Sequence, residues 1–154
     1  MEGKSVPQFN LESTEGKRIS ADDMRGSWNV LYFYPKDDTS GCTKEACSFT
    51  ASLEMFEKLN ARVYGISRDT IESHKKFIAK NGLKFPLLAD TKNELAKALG
   101  SSENPVLFLR LLGWPARDTF LVDPEGKIVK VWRNVSPNDT VNQAYEELKS
   151  RAAR

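Results

Sequence analysis

Cys42 and Cys47, the only cysteines in the chain, lie five residues apart in Pro35-Lys36-Asp37-Asp38-Thr39-Ser40-Gly41-Cys42-Thr43-Lys44-Glu45-Ala46-Cys47. A thiol becomes a nucleophile when it ionises, and its sulfur can then be oxidised and restored. Ahead of the pair, the apolar run from Trp28 to Tyr34 reads as a buried strand that Pro35 ends. Asp37, Asp38, Thr39, Ser40 and Gly41 supply turn and N-cap chemistry before a helical pattern begins. Cys42 therefore falls in or near the first turn of a helix, where unpaired N–H groups and the positive end of the dipole favour an anion. A thiolate is such an anion.

The spacing adds a constraint. In an unbroken α-helix, residues i and i+5 are ~140° apart around the axis and ~7.5 Å apart along it, with Cα atoms roughly 8–9 Å apart. A disulfide needs about 4.4–6.8 Å. A helix through both cysteines keeps them from bonding until it locally unwinds, which suits a redox cycle better than a static crosslink. Two reduced cysteines packed as small hydrophobes is the other reading that the spacing leaves open.

A chain of 154 residues is expected to form a single domain over 1–154. The net charge is +2 and the basic residues are scattered, so no nucleic-acid-binding face is expected. The N-terminus lacks the apolar core of a signal peptide, and the run Val106–Leu112 is interrupted by Arg110 and too short to span a bilayer. Two cysteines do not make a disulfide scaffold, and a reducing, cytoplasmic setting fits better. A metal site is not expected, because two cysteines and the single histidine, His74, leave a tetrahedral zinc one ligand short unless an acid completes it. His74 borders the apolar face of a helix and is read as structural; Trp28, Trp114 and Trp132 are read as packing residues.

The surrounding elements must position the cysteines. Phe9–Leu11 and Arg18–Ile19 flank a hairpin signal, and Phe49, Leu53, Phe56 and Leu59 carry the cysteine helix onward at helical spacing. Ala61–Ser67 reads as a strand, Thr70 caps a helix to Lys80, and Asn81-Gly82 ends it. Phe85–Ala89 is expected as a short strand and Glu94–Leu99 as a short helix. Thr119–Val122 and Lys127–Trp132 pair across Asp123-Pro124-Glu125-Gly126, a type I turn signal, before a last helix near Pro137. Strands alternating with helices and closing on an antiparallel hairpin imply an α/β, thioredoxin-like fold. Its mixed central sheet carries helices on both faces and an added N-terminal β-hairpin.

Pro35-x-x-x-Thr39-x-x-Cys42 resembles the active-site motif of peroxiredoxins. The longer run through Gly41-Cys42-Thr43-Lys44-Glu45-Ala46-Cys47-Ser48-Phe49 is similar to the bacterioferritin-comigratory, or Q-type, atypical two-cysteine subfamily. The likeness continues at Tyr64–Asp69, Ser73–Phe77, Phe85–Asp90 and Thr119–Ile128. Between Gly100 and Arg117 the chain departs from the pattern of bacterial members, and its Leu-x-x-Pro-x-Arg ending looks more like cyanobacterial and chloroplast members.

The resemblance implies a thiol-dependent peroxidase that reduces hydrogen peroxide and organic hydroperoxides. Cys42 would be the peroxidatic cysteine and Cys47 the resolving one, joined in a Cys42–Cys47 disulfide that thioredoxin or a similar dithiol recycles. Arg117 matches the family's active-site arginine; its fixed charge can hold the thiolate and donate to the peroxide. The Thr39 hydroxyl can orient a peroxide oxygen, and Pro35, lacking an N–H, can shield the sulfur. No cofactor or metal, no membrane and a monomer are expected, with the chloroplast the alternative location for a processed form. Each residue also has a plainer role: Arg117 in a surface pair with Asp118 or Asp123, Thr39 as an N-cap, Pro35 as a strand terminator. A thioredoxin-like disulfide oxidoreductase would show Cys-x-x-Cys, which is absent. A redox-sensing interaction module would use the apolar Val106–Trp114 stretch as a docking patch, although ordinary core is the expectation for that stretch.

Overall fold

The computed structural model describes residues 1–152, so the last two residues of the expected domain span lie outside it. A hairpin of β1 (Asn10–Ser13) and β2 (Arg18–Ser20) leads through a 3-10 turn at Ala21–Met24 to β3 (Trp28–Phe33). There follow α1 (Ser40–Glu57), β4 (Ala61–Ser67), α2 (Ile71–Asn81) and β5 (Leu87–Ala89). Two short helices, α3 (Glu94–Ala98) and α4 (Leu107–Leu111), precede β6 (Thr119–Val122), β7 (Ile128–Trp132) and α5 (Thr140–Ala152). The strands make one seven-stranded sheet in the order β2-β1-β5-β4-β3-β6-β7. Strands β3, β4 and β5 run parallel, as crossovers through α1 and α2 require, while β1 and β6 join antiparallel.

The central strand β3 is apolar at nearly every position because both of its faces are covered. Val30, Tyr32 and Tyr34 point into one core with Phe49 and Phe56 of α1, Phe77 of α2 and Leu148 of α5. Leu31 and Phe33 point into the other with Ile19, Leu95, Leu99 and Phe120. Within the first core the Phe49 ring stacks on Tyr32 at 4.7 Å and meets Phe85 edge-on at 6.1 Å. Removing a buried phenylalanine of this kind costs about 3–5 kcal/mol. The middle of α1 is thereby anchored to the sheet, independently of its first turn.

Some element ends shift by a residue or two, leaving Phe9, Tyr34 and Leu99 outside their strands and helix, and three further expectations change for a physical reason. The strand expected over 85–89 is confined to Leu87–Ala89, since Pro86 has no N–H to give a ladder. Lys127 belongs to the hairpin turn rather than to β7, and its N–H is taken by Asp123 Oδ1 at 2.9 Å. The third is a correction: the apolar stretch from Val106 is not ordinary core. Leu107 is 56%, Phe108 68% and Leu111 76% exposed, and α4 buries no residue. Both sheet faces are already filled, and α4 is tied on near its ends. Asn104 Oδ1 accepts from Val106 N–H at 2.9 Å, Arg68 donates to the Leu112 carbonyl, and Asn93 Nδ2 donates to Gly113 O at 2.8 Å.

Candidate active site

The chain leaves β3 at Phe33, turns through Pro35, and enters α1 by way of Asp38, whose φ of 66° is left-handed. Thr39 occupies the N-cap position with extended backbone, but its side chain makes no cap bond. Its hydroxyl instead donates back to the Lys36 carbonyl at 3.0 Å. The donor is spent, so the oxygen's lone pairs are what Thr39 offers to a ligand. Thr43 N–H bonds to Thr39 O at 2.9 Å, so the N–H groups of Gly41 and Cys42 precede it and have no acceptor within the helix.

Cys42 is buried, and Arg117 Nη2 lies 3.3 Å from its sulfur. The other arm of the guanidinium, Nη1, is 2.7 Å from Glu45 Oε1, and Thr140 Oγ1 donates to Glu45 Oε2 at 2.6 Å. Arg117 therefore spans α1 rather than pairing at the surface. Neither Asp118 nor Asp123 holds it. Asp118 is taken by Arg133, Ser101 and the Asn134 N–H, each at 2.9 Å, and Asp123 closes the hairpin turn. Gly41 packs closely here: a Cβ on it would stand 3.3 Å from Arg117 Nη2 and 3.2 Å from Pro137 Cγ, so either neighbour would have to give by a few tenths of an ångström.

Burial is the dominant influence on Glu45 and pushes its carboxyl up to about 7, against the opposing pull of the Arg117 charge and the Thr140 hydroxyl. For Arg117, burial works against the charge, but Glu45 and then Cys42 outweigh it and hold the pKa above its usual value. Since the folded Glu45 binds its proton more tightly than an exposed carboxyl, its favourable contribution is fully present below the ordinary value of 4.5. That contribution is lost as pH rises through about 7. Unfolding by urea at several pH values should show the wild type losing stability between about pH 5 and pH 8 relative to Glu45→Gln. Parallel pH profiles for the two proteins would contradict this assignment.

Cys47 lies on the same unbroken helix but is exposed, and both cysteines are free thiols. The structure thus brings Cys42 and Arg117 into contact, sets Thr39 at the head of the same helix with Pro35 in the loop before it, and leaves Cys47 outside. Sequence reasoning missed Glu45 and Thr140. Glu45 did carry a signal: with Cys42, Ala46 and Phe49 it lies on the buried stripe of α1, an odd place for a carboxylate. Thr140 carried none. His74 is buried, with Nδ1 2.8 Å from Asp37 Oδ2 and Nε2 2.9 Å from Leu88 O. Asp37, Asp69 and His74 bring potential metal-ligating atoms within 4.8 Å of one another. Those atoms are engaged by each other and by Lys36, Ser67, Ser73, Tyr34 and backbone groups.

The AhpC/TSA family model matches residues 3–131. The chain is 41% identical to peroxiredoxin Bcp of Bacillus subtilis over 147 residues, covering 96% of this chain and 94% of the relative. It is 40% identical to the chloroplastic peroxiredoxin Q of Sedum lineare over 149 residues, covering 96% and 77%. Near-equal identities place it no closer to the chloroplast branch than to the bacterial one. Among solved structures, the Xanthomonas campestris bacterioferritin comigratory protein, described for alkyl peroxide reduction, superposes with a TM-score of 0.86 at 35% identity, covering 94% and 92%. The C47S mutant of Xylella fastidiosa PrxQ gives 0.88 at 34% identity, covering 99% and 94%. The fold is thioredoxin-like, with a mixed sheet as expected.

Proposed function

This chain belongs to the AhpC/TSA family and is a peroxiredoxin of the Bcp/Q group, and on that premise we propose how its residues divide the work. It is a thiol-dependent peroxidase. In the proposed cycle the Cys42 sulfur attacks a hydroperoxide: an S–O bond forms, the O–O bond breaks, water or alcohol leaves, and Cys42 becomes a sulfenic acid. The observation that carries this is the Arg117 guanidinium, 3.3 Å from Cys42 Sγ and held from behind by Glu45. A donor in that place favours the anionic sulfur and then the oxygen that departs. Ionisation alone does not make a fast peroxidase, because at an ordinary thiol pKa about 3% is already ionised at pH 7, and a lower pKa weakens the nucleophile. Alignment supplies the rest. The Thr39 oxygen accepts from the peroxide O–H, the Gly41 and Cys42 N–H groups face developing charge, and Pro35 shields the sulfur.

Cys47 is the resolving residue. Once the first turns of α1 unwind, its thiol condenses with the sulfenic acid, water leaves, and a Cys42–Cys47 disulfide forms. Thioredoxin or a similar dithiol then returns both thiols. A single domain over 1–154, a monomeric state and the cytoplasm belong to the same proposal, with the chloroplast its alternative. Among the described residues no helix is long and apolar enough to cross a membrane.

A second reading, a redox-sensing module, is favoured by the exposed side chains of α4. Turnover separates the two. With thioredoxin and its reductase present, the protein should consume many equivalents of hydrogen peroxide and of a bulky organic hydroperoxide. Consumption that halts at about one equivalent with active reductant would identify a sensor instead.

A further inference from the structure

Behind the loop that carries Pro35 and Thr39 lies a buried polar cluster that the steps above do not use. His74, the single histidine, is fully buried and has an oxygen at each ring nitrogen: Leu88 O at 2.9 Å from Nε2 and Asp37 Oδ2 at 2.8 Å from Nδ1. A carbonyl oxygen only accepts, so Nε2 carries a proton. The Asp37 carboxylate also accepts from the Ser73 hydroxyl at 2.8 Å and from the Tyr34 hydroxyl at 2.6 Å. A further proton lies between Nδ1 and Oδ2, since two lone pairs facing each other at that distance would repel. Histidine and aspartate thus act as one hydrogen-bonded unit, fixed to the end of β3 through Tyr34, to α2 through Ser73, and to β5 through Leu88.

Asp37 is itself a loop residue, so that unit ties its side chain down, while Asp69 holds the loop backbone at the same point. Asp37 N–H donates to Asp69 Oδ2 at 2.8 Å, and Lys36 pairs with the same Asp69 carboxylate. Asp69 is itself held by the Ser67 hydroxyl at 2.7 Å. Two consecutive loop residues are therefore pinned immediately before Asp38, whose left-handed backbone persists only where its surroundings dictate it. The Thr39 hydroxyl closes back on the carbonyl of the pinned Lys36.

We propose that Asp37 and His74 are positioning residues for the peroxide step: by fixing the loop at Lys36–Asp38 they aim the Thr39 hydroxyl at the place where the peroxide meets Cys42. Neither touches the peroxide, and the proposal rests on Cys42 being the attacking cysteine. Slackening the loop would misplace the Thr39 hydroxyl relative to a sulfur that Arg117 still holds, and a displacement of ~1 Å can cost about 100-fold in rate.

The test uses His74→Gln, Asp37→Asn and the milder Ser73→Ala, each in a Cys47→Ser background and each confirmed folded by thermal unfolding. Two rates are measured at Cys42: single-turnover oxidation by hydrogen peroxide, and alkylation by iodoacetamide, which needs the sulfur but no aimed hydroxyl. The peroxide rate should fall about 10- to 100-fold in the first two variants while alkylation changes less than about threefold. If those two do not fold, Ser73→Ala should still show a selective loss of about threefold or more. Folded variants whose two rates are both unchanged, or fall in parallel, would overturn the proposal and leave a purely structural pair. A Cys47→Ser parent inert to peroxide at Cys42 would sink the Cys42 assignment, and this proposal with it, before any variant is compared.

Discussion

Cys42→Ser should abolish peroxide consumption, whereas Cys47→Ser should consume about one equivalent of peroxide and stop as a sulfenic acid. The asymmetry follows from the two environments. Cys42 lies buried at the head of α1 with a guanidinium donor at 3.3 Å, while Cys47 is exposed and has no part in that contact. A serine hydroxyl stays protonated at neutral pH, so neither Arg117 nor the helix dipole has an anion to favour at residue 42. Removing Cys47 leaves the attack intact and takes away only the thiol that condenses with its product. Stopped-flow oxidation and trapping of the sulfenic acid with a dione reagent distinguish the cases. Equal single-turnover rates in the wild type and in Cys42→Ser would exclude Cys42 as the nucleophile.

Arg117→Ala should slow the peroxide step by about 10²–10³, the usual cost of deleting one donor aimed at developing negative charge. Arg117→Lys should restore only part of that loss. The arginine serves two partners at once, Cys42 through Nη2 and Glu45 through Nη1, and a single ammonium on a flexible stem cannot keep that fork. With lysine, the buried Glu45 competes with the sulfur for one charge. Both variants should fold, because Arg117 lies in the loop before β6 and the buried Glu45, already raised to about 7, can take up a proton when its partner is lost. Wild-type peroxide rates in both would place Arg117 outside the site.

Much of this arrangement was legible in the chain. The run into Pro35, the polar turn and the stripe through Phe49 and Phe56 locate the cysteine helix by local chemistry alone. Asp123-Pro124-Glu125-Gly126 likewise fixed the last hairpin. What stayed hidden depends on contacts far apart in sequence. The Arg117–Glu45–Thr140 chain links α1, the loop before β6 and the start of α5, and no periodicity reports that meeting. The Asp37–His74 pair joins residues thirty-seven positions apart. The helix α4 deceived for another reason: Val106 to Leu112 has the composition of core, but the sheet faces that would cover it were already occupied.

The central claim is that one helix holds the two cysteines apart and must open to join them. Hydrogen exchange on the reduced protein and on its Cys42–Cys47 disulfide form tests it most directly. Amides from Thr43, whose N–H makes the first bond of α1, to about Phe49 should be protected in the reduced form and exchange freely after oxidation. Protection should return near Phe49, whose ring is stacked on Tyr32 at 4.7 Å, and should persist through β3 and β4 in both forms. Unchanged exchange across 43–49 after the disulfide has formed would contradict the unwinding of α1.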